Sequence, residues 1–140
     1  MTASDIQAVA VPRRAGAITI TLWVGQVLLA ALFAFAATPK LLGEPTAVAN
    51  FQTIGFGQWF RYLTGTCELA GAIGLLIPRL SGLAALGLVG VMIGATLTNL
   101  FLLPGMVPVA VLTVLLGAVL GLIAWGRWPQ TKTLVTALKR

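Results

Sequence analysis

Four apolar runs, at about residues 18–37, 60–77, 80–103 and 107–125, dominate this chain of 140 residues and restrict what it can fold into. Each comes close to the ~20 residues that an α-helix needs to cross the hydrocarbon of a bilayer. In lipid, every backbone N–H and C=O must be paired within its own helix or within a closed barrel, and no run shows the apolar–polar alternation of a barrel strand. Composition agrees: 9% of the residues are charged, against about 25% in an average soluble domain. The expected fold class is therefore all-α, an integral membrane four-helix bundle. Its weakest span is the second, which is short and contains Glu68.

An even number of spans puts both termini on one side of the membrane. Arg13 and Arg14 precede the first run, Arg79 joins the second to the third, and Arg127, Lys132, Lys139 and Arg140 follow the fourth; only Lys40 and Arg61 fall on the other face. Basic residues favour the cytoplasmic side, so seven against two predicts that both termini are cytoplasmic. Orientation and contact with anionic lipid then account for the net charge of +6, and nucleic acid is not an expected partner. Arg13-Arg14, the apolar run and Ala34-Phe35-Ala36 also have the parts of a cleavable export signal. That run, however, exceeds the roughly 7–15 residues of a signal core, and three more follow it, which favours a retained anchor. The expected organisation is a cytoplasmic segment over residues 1–17, disordered or lying on the surface, a four-helix transmembrane domain over 18–125, and a basic cytoplasmic tail over 126–140.

Thr38-Pro39-Lys40 is expected to end the first helix, because proline cannot donate the next helical hydrogen bond. In the long connection that follows, Val48, Phe51 and Ile54 recur every three residues, which predicts a short amphipathic helix in the outer loop between helices 1 and 2. Gly55-Phe56-Gly57 should break it. Trp59 and Tyr62 suit the outer interface, and Trp125 and Trp128 the cytoplasmic one. Pro78-Arg79 and Pro104-Gly105-Met106 make tight turns, so consecutive helices should be antiparallel neighbours. The pairs Gly90/Gly94 and Gly117/Gly121 allow close helix approach, either within one bundle or in a homo-oligomer.

Glu68 is the only acid inside any run. A charged side chain at the bilayer centre costs roughly 2.5–3.5 kcal/mol on insertion scales, so such groups face the bundle interior, find partners or mark a pathway. Helical spacing gives it company. Gln26, Phe33 and Lys40 share a face of the first helix, Arg61, Thr64 and Glu68 a face of the second, and Met92, Thr96 and Asn99 a face of the third. Turned toward one another, these stripes would form an outward-opening ligand pocket with Lys40 and Arg61 at its mouth, Thr96 and Asn99 on a wall, and Glu68 at the floor near Gln26. Met92 and Phe33 would complete the lining. The alternative is a set of scattered interhelical hydrogen bonds worth about 0.6 kcal/mol each. Lys40 and Arg61 are expected to extend toward water, leaving Glu68 a neutral acid that donates a hydrogen bond to a ligand or a neighbouring helix.

The chain has no histidine and one cysteine, Cys67. Histidine-ligated haem, the usual zinc sites, a histidine base and an intrachain disulfide are all excluded, and no haem or metal is expected from this chain alone. Redox or transport chemistry would need a bound organic molecule, a proton at Glu68, or a partner subunit.

Thr38-Pro39-Lys40-Leu41, the stretch from Phe51 to Gly55, Glu68-Leu69-Ala70-Gly71-Ala72-Ile73-Gly74-Leu75-Leu76 and Met92-Ile93-Gly94-Ala95 occur in an order that resembles the DoxX-like family of small four-helix bacterial membrane proteins. The resemblance spans about residues 22–125. It implies a multi-pass protein of the bacterial plasma membrane linked to quinone and sulfur-compound redox, where a related subunit accompanies a quinol oxidase in thiosulfate oxidation. It also admits roles in assembly or cargo handling. The chain departs from many relatives in having Thr98-Asn99 where they carry a histidine, and in lacking the cysteine pairs of redox-active relatives. The resulting expectation is a protein that binds a lipophilic molecule such as a quinone and supports redox through a membrane partner subunit. A non-enzymatic assembly subunit is the alternative. A small proton-coupled transporter is less expected, because no repeat suggests alternating access.

Overall fold

In a computed structural model of the chain, residues 12–140 are described, with side chains from residue 16 onward. Most of the expected N-terminal segment, residues 1–11, lies outside the described residues. Six helices follow: α1 (Pro12–Leu42), α2 (Pro45–Ile54), α3 (Gln58–Leu75), α4 (Ser81–Phe101), α5 (Val107–Gly126) and α6 (Trp128–Leu138). Three segments are long and apolar enough to cross a membrane: Gly16–Leu42 of α1, α4 and α5. Helix α3 is not among them, since Gln58, Arg61 and Glu68 dilute the hydropathy of its 18 residues.

The distribution of side chains is that of a protein solvated by lipid. Gln26, Arg61, Glu68, Ser81 and Arg127 are buried, whereas Phe35 and Trp125 are about 80% exposed and Leu122 and Ile93 lie on the outside. Large exposed apolar surfaces of this kind mark contact with a membrane or a partner, and polar groups turn inward because lipid offers them nothing to bond. The chain is a multi-pass membrane protein.

The core is built mainly from α1, α3, α4 and α5, with Leu29, Phe33, Leu75, Leu88, Met92, Leu120 and Ile123 at its centre. Helix α1 packs chiefly on α3, α3 also on α4, and α4 on α5. Small residues set how close α3 and α4 come. A Cβ added at Gly71 would lie 2.5 Å from the Leu88 side chain, and one at Gly74 2.7 Å from Ala84 Cβ. The glycine pairs singled out by spacing are not the points of close approach: Gly90, Gly94 and Gly121 have open space around them, and only Gly117 touches a neighbour, Met92, at 3.4 Å.

Helix α1 does not stop at Thr38-Pro39-Lys40. It runs through Pro39 to Leu42; Thr38 Oγ1 donates to the Ala34 carbonyl at 2.8 Å and Lys40 Nζ to that of Ala36 at 3.0 Å, on either side of the Phe35 carbonyl that would otherwise accept from residue 39. The chain turns instead at Gly43, whose φ of 74° is left-handed, and the Glu44 amide closes the turn on the Pro39 carbonyl at 2.9 Å. Glu44 then caps α2, its Oε2 accepting from the Ala47 amide at 3.1 Å. The backbone amides of Thr46 and Ala47 hold its carboxyl below the ordinary value of 4.5. In the expected tail, α6 is a helix docked against the start of α4.

Candidate functional site

The polar residues gather at two places along α1 rather than in one pocket. At its C-terminal end, Lys40 Nζ lies 2.8 Å from Glu68 Oε2 on α3, with side-chain exposures of 21% and 6%. Lys40 therefore turns into the bundle instead of extending to water. Because α1 continues past Pro39, Lys40 falls on the inner face with Gln26, Phe33 and Ala37. Arg61, one face-repeat before Glu68, is also buried. Its Nη1 donates to the Lys40 carbonyl, capping the end of α1. Its Nε donates to Gln58 Oε1 at 2.7 Å, and its guanidinium stacks over the Tyr62 ring at 4.2 Å. Gln58 in turn donates to the Val48 carbonyl at 3.2 Å, so the same cluster holds α2 against α3.

The second cluster lies midway along α1 and at the C-terminal ends of α3 and α5. Gln26, fully buried, donates from Nε2 to the Leu75 carbonyl at 2.6 Å and accepts from Arg127 Nε at 2.7 Å. Leu75 sits seven residues beyond Glu68 on α3, about 10 Å along the axis, and Phe33 and Leu29 fill the core between. Gln26 is thus not at a shared floor with Glu68. Arg127, between α5 and α6, is 3% exposed, and its Cζ lies 5.4 Å from the centre of the Trp23 ring. Its Nη2 is the one buried side-chain polar atom among the described residues that has no partner. Burial pulls its pKa below the ordinary arginine value, although a guanidinium remains charged through the physiological range.

Of the other expected pocket residues, Phe33 and Met92 are core, Thr96 is half-buried and Asn99 half-buried near the end of α4. Thr96 Oγ1 lies 2.7 Å from Thr113 Oγ1 on α5. That pair looks into an open groove of ≈ 240 Å³ between α4 and α5, lined also by Val89, Met92, Ile93 and Gly117. A second groove, of ≈ 370 Å³, runs between α3 and α4 past Gly71, Gly74 and Gly87. Neither groove includes Lys40, Arg61, Glu68, Gln26 or Asn99. Seven of the eight residues expected to line one pocket are therefore divided between an ion-pair cluster, a glutamine–arginine cluster, the core and the α4–α5 groove, and Asn99 joins none of these.

Arg127 and Thr113 are the functional candidates that spacing did not find. Thr113 was legible as the single hydroxyl in α5. Arg127 was not, because its contact with Gln26 spans 101 residues and leaves no periodic trace.

No curated protein and no solved structure matches the chain. Residues 24–126 match the DoxX-like family, a region that contains α3, α4, α5 and all but the first twelve residues of α1. With most of its length covered, including Gln26, Lys40, Arg61, Glu68 and Thr96, the chain belongs to the DoxX-like family.

Proposed function

We propose that this DoxX-like protein sits in the bacterial plasma membrane with both termini in the cytoplasm, and that it binds a small lipophilic molecule of the quinone type in support of a membrane redox partner. In this reading α3 also spans, giving a four-helix bundle. Support comes from its packing on both α1 and α4 and from the fact that its polar groups are directed inward. The seven-to-two asymmetry of basic residues supports the orientation. A cysteine at Thr46 should then react with an impermeant thiol reagent in intact cells, and labelling only after lysis would reverse the topology.

The observation that carries the binding reading is the Thr96–Thr113 pair in an otherwise apolar groove. Besides each other, the two hydroxyls have the Met92 and Ala110 carbonyls as acceptors, at 2.7 and 2.8 Å. Rotation about one side-chain torsion offers an O–H to an incoming carbonyl while the other hydroxyl stays paired. A volume of ≈ 240 Å³ is below the roughly 300–1,000 Å³ of an enclosed ligand pocket. It suits a ring whose isoprenoid tail remains in lipid. Lys40–Glu68–Arg61 serves this reading as a brace for the bundle rather than as a ligand contact.

Mass spectrometry of lipids extracted from the purified protein is the test. The expected result is quinone enriched over a control membrane protein, reduced several-fold in Thr96→Val/Thr113→Val with an unchanged thermal midpoint. Absence of enrichment, together with no stabilisation by an added short-chain quinone, would overturn it. A stable complex with another membrane protein in that case would favour the assembly-subunit reading, for which the small-residue groove between α3 and α4 is the available seat.

A further inference from the structure

We infer that α6 is a surface helix that recognises anionic lipid, resting on the bilayer at the membrane face where α5 ends. Helix α5 is apolar and long enough to cross. Trp125 and Trp128, both exposed, bracket the bend at Arg127 where α6 departs from it. The inference needs only that α5 spans, and it is independent of the quinone reading.

Along α6, Thr131, Leu134, Val135 and Leu138 fall at offsets of 0, 3, 4 and 7 and form one arc of the helix. The first turn of that arc is used by the protein itself. Thr131 is buried, its Oγ1 donates to the Arg127 carbonyl at 3.2 Å, and it packs so tightly on Gly82 at the start of α4 that no Cβ would fit there. Beyond this seat the arc opens outward: Leu134 is half-buried, Val135 is 41% and Leu138 78% exposed. Lys132 and Lys139 fall at roughly 100° and 80° around the axis from Thr131, together on the margin of the arc next to Val135, where their stems can lie along the surface and their ammoniums reach phosphate. Arg140 follows directly. From Gly126 to Arg140 there are four basic residues and no acid.

The seat fixes the direction of the helix and the flanking lysines define what it fits. An exposed apolar strip with a cationic margin and no acidic residue matches the boundary between acyl chains and anionic headgroups. Each basic side chain near such a surface contributes roughly a fivefold factor in binding, so Lys132, Lys139 and Arg140 together give on the order of a hundredfold preference for an anionic over a neutral surface.

The test uses the whole protein in nanodiscs of phosphatidylcholine alone or mixed with phosphatidylglycerol, carrying Cys67→Ser and Val135→Cys labelled with an environment-sensitive dye. In the anionic discs the dye should emit to the blue, be quenched by spin-labelled lipid and be shielded from iodide. At high salt, where screening acts within about 3 Å at 1 M, the difference from neutral discs should vanish. Lys132→Gln/Lys139→Gln/Arg140→Gln should abolish the lipid dependence, while Lys132→Arg/Lys139→Arg should keep it, separating charge from helix integrity. A dye that is equally water-exposed in both discs, or equally buried in both regardless of salt, overturns the inference. So does burial that requires a copurifying protein.

Discussion

Two levels along α1, its C-terminal end and its middle, solve the same problem differently. At Lys40 a partly buried ammonium meets the buried carboxyl of Glu68 at 2.8 Å. At Gln26 a buried cation, Arg127, meets only the dipole of an amide and the face of an indole, and one of its nitrogens has no partner. The first arrangement is closed in charge for the pair, and its desolvation cost is offset where the two groups touch. The second carries a net charge inside the protein. Gln26 is therefore the more demanding position: it serves the guanidinium and the Leu75 carbonyl at once.

The comparison can be broken most directly at Gln26. Gln26→Ala strands both the guanidinium and the carbonyl, and should cost about 3 kcal/mol, because an unpaired buried charged group loses more than a neutral one. Thermal or denaturant unfolding in a fixed detergent measures it. Gln26→Glu sharpens the point. A carboxylate supplies the missing counter-charge but cannot donate to the Leu75 carbonyl, so its loss should be smaller than that of the alanine variant. Equal losses would assign the effect to the carbonyl bond instead.

At the C-terminal end of α1, Lys40→Met should cost about 2 kcal/mol, less than the roughly 3–5 of a fully buried broken pair because Lys40 retains 21% exposure. Adding Glu68→Met should recover most of it, since a well-packed apolar pair can replace a buried ion pair at little cost. A double variant as unstable as the single one would show that the two side chains act apart. Glu68→Gln, which keeps an acceptor for Lys40, should fold better than Glu68→Ala.

Arg61→Lys comes next, at about 1–2 kcal/mol. Lysine keeps the charge but cannot reach both the Lys40 carbonyl and Gln58 in one planar fork, and amide exchange should rise first in α2, which Gln58 holds. The smallest effect is at Glu44. Its carboxyl is held below the ordinary 4.5 in the folded chain by the Thr46 and Ala47 amides. Its contribution is therefore complete above about pH 4.5 and is lost as the pH falls through the lower folded value. The protection factor of the Ala47 amide, with intrinsic exchange divided out, should fall over that acidic interval in the wild type and stay flat in Glu44→Gln.

What the sequence determined by itself follows from its periodicity and its solvent. The apolar runs gave helices at 60–77, 80–103 and 107–125 to within a few residues of α3, α4 and α5, because lipid leaves the backbone no other way to pair its hydrogen bonds. Spacing also identified the inner face of α1, since Gln26, Ala30, Phe33 and Ala37 are all buried. Family membership was legible for the same reason, in runs of local residues. The tertiary structure alone decided which polar groups meet. Helix spacing fixes a direction around an axis but not a depth along a neighbour's axis, so Gln26 and Glu68 could be assigned to the interior without revealing that about 10 Å of core separates their levels on α3. It decided, too, that α1 passes through Pro39 to Leu42, where the missing amide of proline argued for an end. The sequence likewise could not show that Arg127 lies against Gln26, for a contact between the first helix and the end of the fifth depends on how every helix between them packs.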